Sequence, residues 1–284
     1  MKILILGAEG NLGTQLVHIF KDYDLLAWDR SEADFLNFPD LLVKLDEAKP
    51  DMVINAAAYN AVDKCEEFET ERDLAFKLNV SLPTELANWC KKKNKTLVHF
   101  STDYVFSGNK NKKEFTENDK PNPTNVYGQT KAKGEEAIIL SEIDYYLIRV
   151  SKLFGPAGRS EYSKKSFFDI MSSLALGKSE LKVINEELSC FTYTPDLAAA
   201  IKKLIESDSP FGIYHLINEG ASTWYDGVLE LKKIVKFSAD IIPVSGDFLT
   251  RPAKRPQFSV LKNTKAPLLR SYKEALQEYL KNKK

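Results

Sequence analysis

Apolar residues recur along this chain in two rhythms. Short unbroken runs, Ile3-Leu4-Ile5-Leu6 the first of them, are what strands buried on both faces require. Between the runs, apolar positions fall three and four apart, as Leu12, Leu16, Ile19 and Phe20 do, which is the stripe of an amphipathic helix. The runs predict strands over 2–7, 25–29, 52–56, 96–101 and 145–150. The stripes predict helices over 11–21, 39–47, a long one around 71–92, and 125–140. Pro39, two residues after Asn37, suits a helix start. Strand and helix in alternation imply an α/β fold: a doubly wound parallel sheet with right-handed crossovers.

Beyond Val150 the rhythm loosens. The polar segment 155–165 reads as a loop. Helices are expected over 166–176, ending at Gly177, and over 196–206, 223–236 and 272–281, with a strand-like run over 212–218. Residues 281–284 read as a solvated tail. The division expected is a dinucleotide-binding domain over 1–150 and a smaller substrate lobe over 151–284. Some elements of that lobe return to pack on the first domain.

The first strand runs directly into Gly7-Ala8-Glu9-Gly10-Asn11-Leu12-Gly13 and then into a helix. Strand, glycine turn, helix is the setting of a dinucleotide fingerprint. Gly7 permits the turn, Gly10 lets a pyrophosphate near the backbone, and Gly13 lets helix and strand pack closely. The helix N-terminus offers free N–H groups to phosphate. The spacing is Gly-x-x-Gly-x-x-Gly. At the end of the second strand, Asp29 suits both ribose hydroxyls of NAD, whereas Arg30 suits the 2′-phosphate of NADP. The two residues argue opposite ways and predict dual use, leaning to NADPH. Ala56, Ala57 and Ala58 are small enough at a strand end to let a cofactor pass, or are tight core packing. Tyr59 follows where the cofactor emerges.

Tyr127 and Lys131 lie four residues apart in Val126-Tyr127-Gly128-Gln129-Thr130-Lys131 and so share a helix face. A phenol titrates near ~10, and a neighbouring ammonium lowers that value toward the working range. The pair is an acid/base device. Gly7, Asp29, Ala56 and Thr102 all fall at the carboxyl ends of expected strands, where ligands of such sheets bind.

Composition narrows the partners. Lys plus Arg and Asp plus Glu number 40 each in 284 residues, so no basic field argues for nucleic acid. Three scattered cysteines, Cys65, Cys90 and Cys190, have neither metal spacing nor a disulfide framework, which fits a reducing cytosol and predicts no metal. The first apolar run is too short for a signal peptide or a membrane span.

Taken together these motifs resemble the extended short-chain dehydrogenase/reductases, and within them the RmlD-like sugar-nucleotide reductases. The resemblance runs over nearly the whole chain. It is carried by Gly7 to Gly13, Asn55-Ala56-Ala57-Ala58-Tyr59 and Ala61-Val62-Asp63-Lys64-Cys65-Glu66. It continues in Ser101-Thr102-Asp103-Tyr104-Val105-Phe106-Ser107-Gly108, Asn125 to Lys131, and Arg255-Pro256-Gln257-Phe258-Ser259-Val260-Leu261.

The resemblance implies a Rossmann domain holding NADPH or NADH on Gly7, Gly10, Asn11, Leu12, Gly13, Asp29, Arg30, Ala56, Ala57, Ala58 and Tyr59, with Asp34-Phe35 flanking adenine. It implies a Thr102–Tyr127–Lys131 triad. Thr102 and Tyr127 hold the substrate carbonyl oxygen, Tyr127 delivers the proton, and Lys131 holds the nicotinamide ribose and lowers the Tyr127 pKa. Val62, Asp63, Asp103, Tyr104 and Phe106 are candidates to line a sugar pocket, Val105 and Phe106 being equally plain core. Arg255 is either a clamp on a nucleotide diphosphate or a surface arginine. A homodimer is common in this family.

Related 4,6-dehydratases carry Asp-Glu after this threonine; here the second position is Tyr104, far too weak an acid for that role, which argues for simple reduction. Two departures fall on the substrate side. The family's Arg-Thr-Ser-Trp is Arg149-Val150-Ser151-Lys152, so Lys152 stands where a sugar-contacting tryptophan is usual. The family's Asp-Gln-x-Gly-x-Pro-Thr is Glu186-Glu187-Leu188-Ser189-Cys190-Phe191-Thr192. The expected activity is reduction of a nucleotide-linked 4-keto-6-deoxy sugar, dTDP-4-dehydro-L-rhamnose foremost. The alternatives are a non-catalytic NADP-binding regulatory subunit and a sugar-nucleotide epimerase.

Overall fold

The computed structural model describes residues 1–108, 111–161 and 163–283. Tyr162 of the expected loop and Lys284 of the expected tail lie outside them. Six parallel strands form the main sheet in the order Gly212–His215, Tyr145–Val150, Thr96–Thr102, Met52–Asn55, Lys2–Leu6, Asp24–Trp28. The chain starts inside the sheet at Lys2–Leu6, goes one way to Asp24–Trp28, then crosses back to Met52–Asn55. The strand order therefore reverses beside Gly7 and Ala56, and the crevice a ligand needs opens there.

Successive residues of the first strand feed opposite cores. Ile3 and Ile5 pack with Leu12 and Leu16 of the helix Asn11–Ile19 and with Phe20, which ends it. Leu4 and Leu6 pack with Leu41 and Leu45 of the helix Phe38–Ala48 and with Leu82, Leu86 and Trp89. All four strand residues are 0% exposed, so each contributes about 1.5–3 kcal/mol of apolar burial. Asn37 caps its helix as expected, its side chain accepting from the Asp40 N–H.

The helix expected around 71–92 is three segments: Glu69–Phe76, a wide π turn Lys77–Ser81, and Leu82–Lys93. Pro83 at the start of the last segment has no N–H to give to the preceding turn. The wide turn places Asn79 inside the protein, where its amide bonds Tyr59 and the Thr130 hydroxyl. The helix Thr194–Glu206 returns to the first sheet, with Leu197, Ile201 and Leu204 in the same core as Leu16. The expected strand over 212–218 divides: Gly212–His215 is an edge of the main sheet, and Asn218–Glu219 pairs with Leu269–Ser271.

A second core, rich in aromatic rings, lies under the helices Phe167–Gly177, Trp224–Val235 and Tyr272–Lys281, where Phe154, Phe168, Phe191, Tyr193 and Tyr279 meet. Its strand pair Glu180–Ile184 and Asp240–Val244 has no counterpart among the expected elements. Both strands are half-exposed, and Pro243 interrupts the second. Among the described residues no helix is long and apolar enough to cross a membrane.

Candidate active site

The glycine turn is built on two approaches closer than any side chain permits. Gly7 has φ +76°, and a Cβ there would meet the Ala57 nitrogen at 2.7 Å. A Cβ at Gly13 would meet the Gly7 carbonyl oxygen at 2.0 Å. The helix that follows begins at Gly10 with no side-chain cap and no acidic residue in its first turn, leaving its N–H groups to a ligand. Leu12 turns its side chain into the core and leaves only backbone at the turn.

Asp29 faces the turn. Its carboxylate accepts the N–H groups of Glu9 at 3.0 Å and Arg30 at 2.9 Å. Beside it opens a cavity of about 360 Å³ lined by Ala8, Thr14, Lys21, Asp29, Glu32 and Arg159. Arg159 belongs to the segment expected to be a loop, and that segment is docked on the turn. The N–H groups of Arg159 and Ser160 donate to the Glu9 carbonyl at 2.8 and 3.0 Å. The Gly158 N–H donates to Asn11 Oδ1, and Asn11 Nδ2 donates to the Lys164 carbonyl at 2.7 Å. Nothing in the spacing of 155–165 pointed to these contacts, because they are made by backbone across some 150 residues.

Ala56 and Ala57 are half-buried and Ala58 is exposed, so the strand end is open. Two neighbours are not. Phe35 is 7% exposed and packs in the core with Leu4 and Leu41, leaving Asp34 alone at the surface. Tyr59 is 7% exposed, and its phenol donates to Glu71 Oε2 at 2.7 Å. Both rings are turned into the protein.

The helix Val126–Leu140 presents Tyr127 and Lys131. Asn125 starts it, its Oδ1 accepting the Gly128 N–H at 2.7 Å while its Nδ2 donates to the Lys254 carbonyl. A Cβ at Gly128 would lie 2.2 Å from the Tyr104 carbonyl oxygen. This contact brings the helix down onto the turn Asp103–Val105, and the Tyr127 ring meets Tyr104 edge-on with 5.9 Å between centroids. Thr102 lies close enough to the Tyr127 phenol to oppose the rise of its pKa. Lys131, 2% exposed, donates from Nζ to the Phe100 carbonyl at 2.5 Å. Glu135, one turn on, is held by Arg149 at 2.7 Å, both side chains 1% exposed.

The electrostatics differ from expectation. Burial pushes the Tyr127 phenol upward, with Thr102 opposing. Burial instead lowers the Lys131 amine to about 8. The phenol is thus raised rather than lowered in the protein alone. The amine is directed at a backbone carbonyl.

On the substrate side, Asp103 is 2% exposed, 3.3 Å from the Thr102 hydroxyl, and accepts from Ser259 Oγ at 2.6 Å. Burial raises its carboxyl. Arg255, a candidate diphosphate clamp, instead spends both arms of its guanidinium on Asp63, with Nη2 to Oδ2 at 2.7 Å. Val62 and Asp63 are half-buried beside it. Phe106 is a correction: 1% exposed, stacked on Phe115 at 4.2 Å and covered by the Arg149 guanidinium, it belongs to the core with Val105.

Lys152 adopts the left-handed backbone, φ +35°. Its buried amine donates to the carbonyls of Glu187 at 2.9 Å and Ser222 at 3.0 Å and lies 4.4 Å over the Trp224 ring. Burial lowers it to about 8. Trp224 Nε1 donates to Glu187 Oε2 at 2.9 Å, and the other Glu187 oxygen pairs with Arg251. Trp224, Glu187 and Arg251 were not foreseen as neighbours of Lys152. They come from three distant segments, and only the large aromatic at the first position of the helix 224–235 hinted at a special place.

The sequence pattern of the RmlD substrate binding domain matches residues 1–284. The chain is 32% identical to the spore coat polysaccharide biosynthesis protein SpsK of Bacillus subtilis, over 99% of this chain and 98% of that one. Its fold matches the crystal structure of a dTDP-4-dehydrorhamnose reductase from Clostridium acetobutylicum with a TM-score of 0.91 and 35% identity, covering 99% of each chain. It also matches the Bacillus anthracis dTDP-4-dehydrorhamnose reductase in complex with NADP, with a TM-score of 0.90 and 29% identity over 99% of this chain and 100% of that one.

Proposed function

Since this chain belongs to the RmlD substrate binding domain family, we propose that it reduces the 4-keto group of dTDP-4-dehydro-L-rhamnose, giving dTDP-L-rhamnose, with NADPH as preferred reductant and NADH as a second. It is an NAD(P)H-dependent sugar-nucleotide oxidoreductase. The observation that carries the finer reading is the placing of Tyr127 and Lys131 one turn apart on the helix that packs on the turn after Thr102, beside the crevice.

The turn fits a dinucleotide. Gly7 and Gly13 leave no room for a Cβ, the helix behind them is uncapped, and a cavity adjoins Asp29. NADPH bound there supplies the hydride. Asp29, with Arg30 and Arg159 nearby, would hold the adenosine end, and Lys131 the nicotinamide ribose. Thr102 and Tyr127 hydrogen-bond the ketone oxygen. As charge develops on that oxygen, the Tyr127 phenol gives it a proton. A high phenol pKa keeps Tyr127 protonated at neutral pH, which is the form a proton donor must have.

The test is loss of NADPH absorbance on adding enzymatically prepared dTDP-4-dehydro-L-rhamnose, with NADH in parallel. Consumption with dTDP-L-rhamnose as product supports the reading. NADPH binding without consumption would reject this substrate and favour another keto sugar, for which Lys152 in place of tryptophan is the specific sign.

A further inference from the structure

Behind Lys131 lies a chain of buried polar groups that the proton transfer does not use. Asn55 ends the third strand at 1% exposure. Its Oδ1 accepts the Ala57 N–H at 3.2 Å, which fixes the amide the other way round toward the interior. Its Nδ2 faces His99 Nδ1 at 3.1 Å. An amide nitrogen only donates, so Nδ1 must accept, and a neutral ring then carries its proton on Nε2. That Nε2 lies 3.5 Å from Lys131 Nζ. Burial and the neighbouring lysine hold His99 well below the ordinary imidazole range, so the ring is neutral.

Lys131 therefore has an N–H on one side and the Phe100 carbonyl on the other. The charged and titratable groups around it are His99 from the strand Thr96–Thr102, Tyr127 one turn back and Glu135 one turn on. Glu135, paired with Arg149 of the next strand, pulls the lysine the other way and raises it, while burial outweighs that pull. An N–H aimed at an amine tolerates the neutral form and opposes the ammonium, in the same direction as burial.

Resting on the reductase reading above, we propose that Asn55 and His99 are positioning residues for Lys131: the amide selects the Nε2–H tautomer of the ring, and the ring seats the lysine amine against the Phe100 carbonyl while opposing its extra proton. The consequence is a lysine that titrates near the working pH, and a limb in the pH profile that belongs to Lys131.

The tautomer is read directly by long-range ¹H–¹⁵N correlation on imidazole-labelled full-length protein. The chain has three histidines, and His99→Gln assigns the signal by its loss. The expected result is an Nε2–H pattern for His99 that does not change between pH 5 and pH 9. An Nδ1–H pattern overturns the proposal whatever the enzyme reduces, so this outcome is separate from failure of the reductase reading.

Asn55→Asp keeps an acceptor for the Ala57 N–H but can only accept from the ring. It should reverse the tautomer and raise the Lys131 limb of the kcat profile by about one pH unit. In a His99→Leu background there is no ring or amide to reverse, and the same substitution should move the limb less than half as far. Equal shifts in both backgrounds would assign the effect to the added charge and overturn the role of the ring. Should Asn55→Asp not fold, His99→Gln against His99→Leu decides. The glutamine N–H falls near Nε2 and should restore the limb that leucine displaces; the same profile from both would reduce the ring to packing.

Discussion

Two clusters of polar side chains meet at the carboxyl edge of the main sheet, and they are built differently. One is the helix Val126–Leu140 with the turns beneath it, where Tyr127 and Lys131 share a face because they are four residues apart. The other is the nest around Lys152, whose partners come from two stretches remote from it, Glu187 from one and Ser222 with Trp224 from the other. In the first, helical geometry sets the spacing of Tyr127 and Lys131. In the second, charges and hydrogen bonds satisfy one another: Lys152 with two carbonyls and a ring, Glu187 with Trp224 and Arg251, Arg255 with Asp63. A polar side chain on the substrate side is thus no evidence by itself of a hand held out to substrate, because burial makes it find a partner first.

The comparison breaks most visibly at Tyr127. Tyr127→Phe removes the proton donor and keeps the ring, and kcat should fall by about 10²–10⁴-fold, while NADPH binding by fluorescence stays near the parent value. Unchanged turnover would remove Tyr127 from the chemistry and leave the first cluster no more functional than the second.

Next in size is the glycine turn. Gly13→Ala forces a Cβ against the Gly7 carbonyl, and overpacking of this kind costs about 1–3 kcal/mol. Thermal melting with and without NADPH should show a lower midpoint and a smaller rise on adding cofactor. A full cofactor-induced rise would mean that the turn does not carry the phosphates.

Asp63 and Arg255 sharpen the other side. A double-mutant cycle of Asp63→Asn and Arg255→Leu, read by urea denaturation, should give a coupling of about 1–2 kcal/mol. If Arg255 instead clamps a diphosphate when substrate is bound, Arg255→Leu will raise KM far more than Asp63→Asn does.

The smallest effect is a pH trend. Lys152 titrates at about 8 in the folded protein, against about 10.4 in an unfolded chain. Below pH 8 both states are charged and the folded protein bears the whole cost of burying that charge. Between the two values the unfolded chain binds the extra proton, so stability from this group rises with pH. Compared with Lys152→Met, the parent should gain relative stability from pH 8 to pH 10. A constant difference would mean that Lys152 keeps its charge in the fold.

Residues close in sequence were legible in advance. The strand Lys2–Leu6, the turn through Gly13, the helix Asn11–Ile19 and the Tyr127–Lys131 pair all follow from period, steric need and spacing within a few residues. Boundaries moved where a single residue overruled the pattern, as Pro83 did in dividing one expected helix into three segments. Phe35, Tyr59 and Phe106 were legible as motif members but not in direction, since a motif cannot say how much core lies behind a strand end.

By itself the sequence determined the alternating α/β order, the close glycine approaches and the shared face of Tyr127 and Lys131, because these depend on bonds and periods within one segment. Tertiary structure alone decided that Gly158, Arg159, Ser160 and Lys164 dock on the glycine turn, that Asp63 occupies Arg255, that Lys152 lies under Trp224, and that Asn55 orients His99 toward Lys131. Each of those joins segments tens to nearly two hundred residues apart. Their partners are chosen by which polar groups burial leaves unsatisfied, a quantity that exists only once the chain has packed.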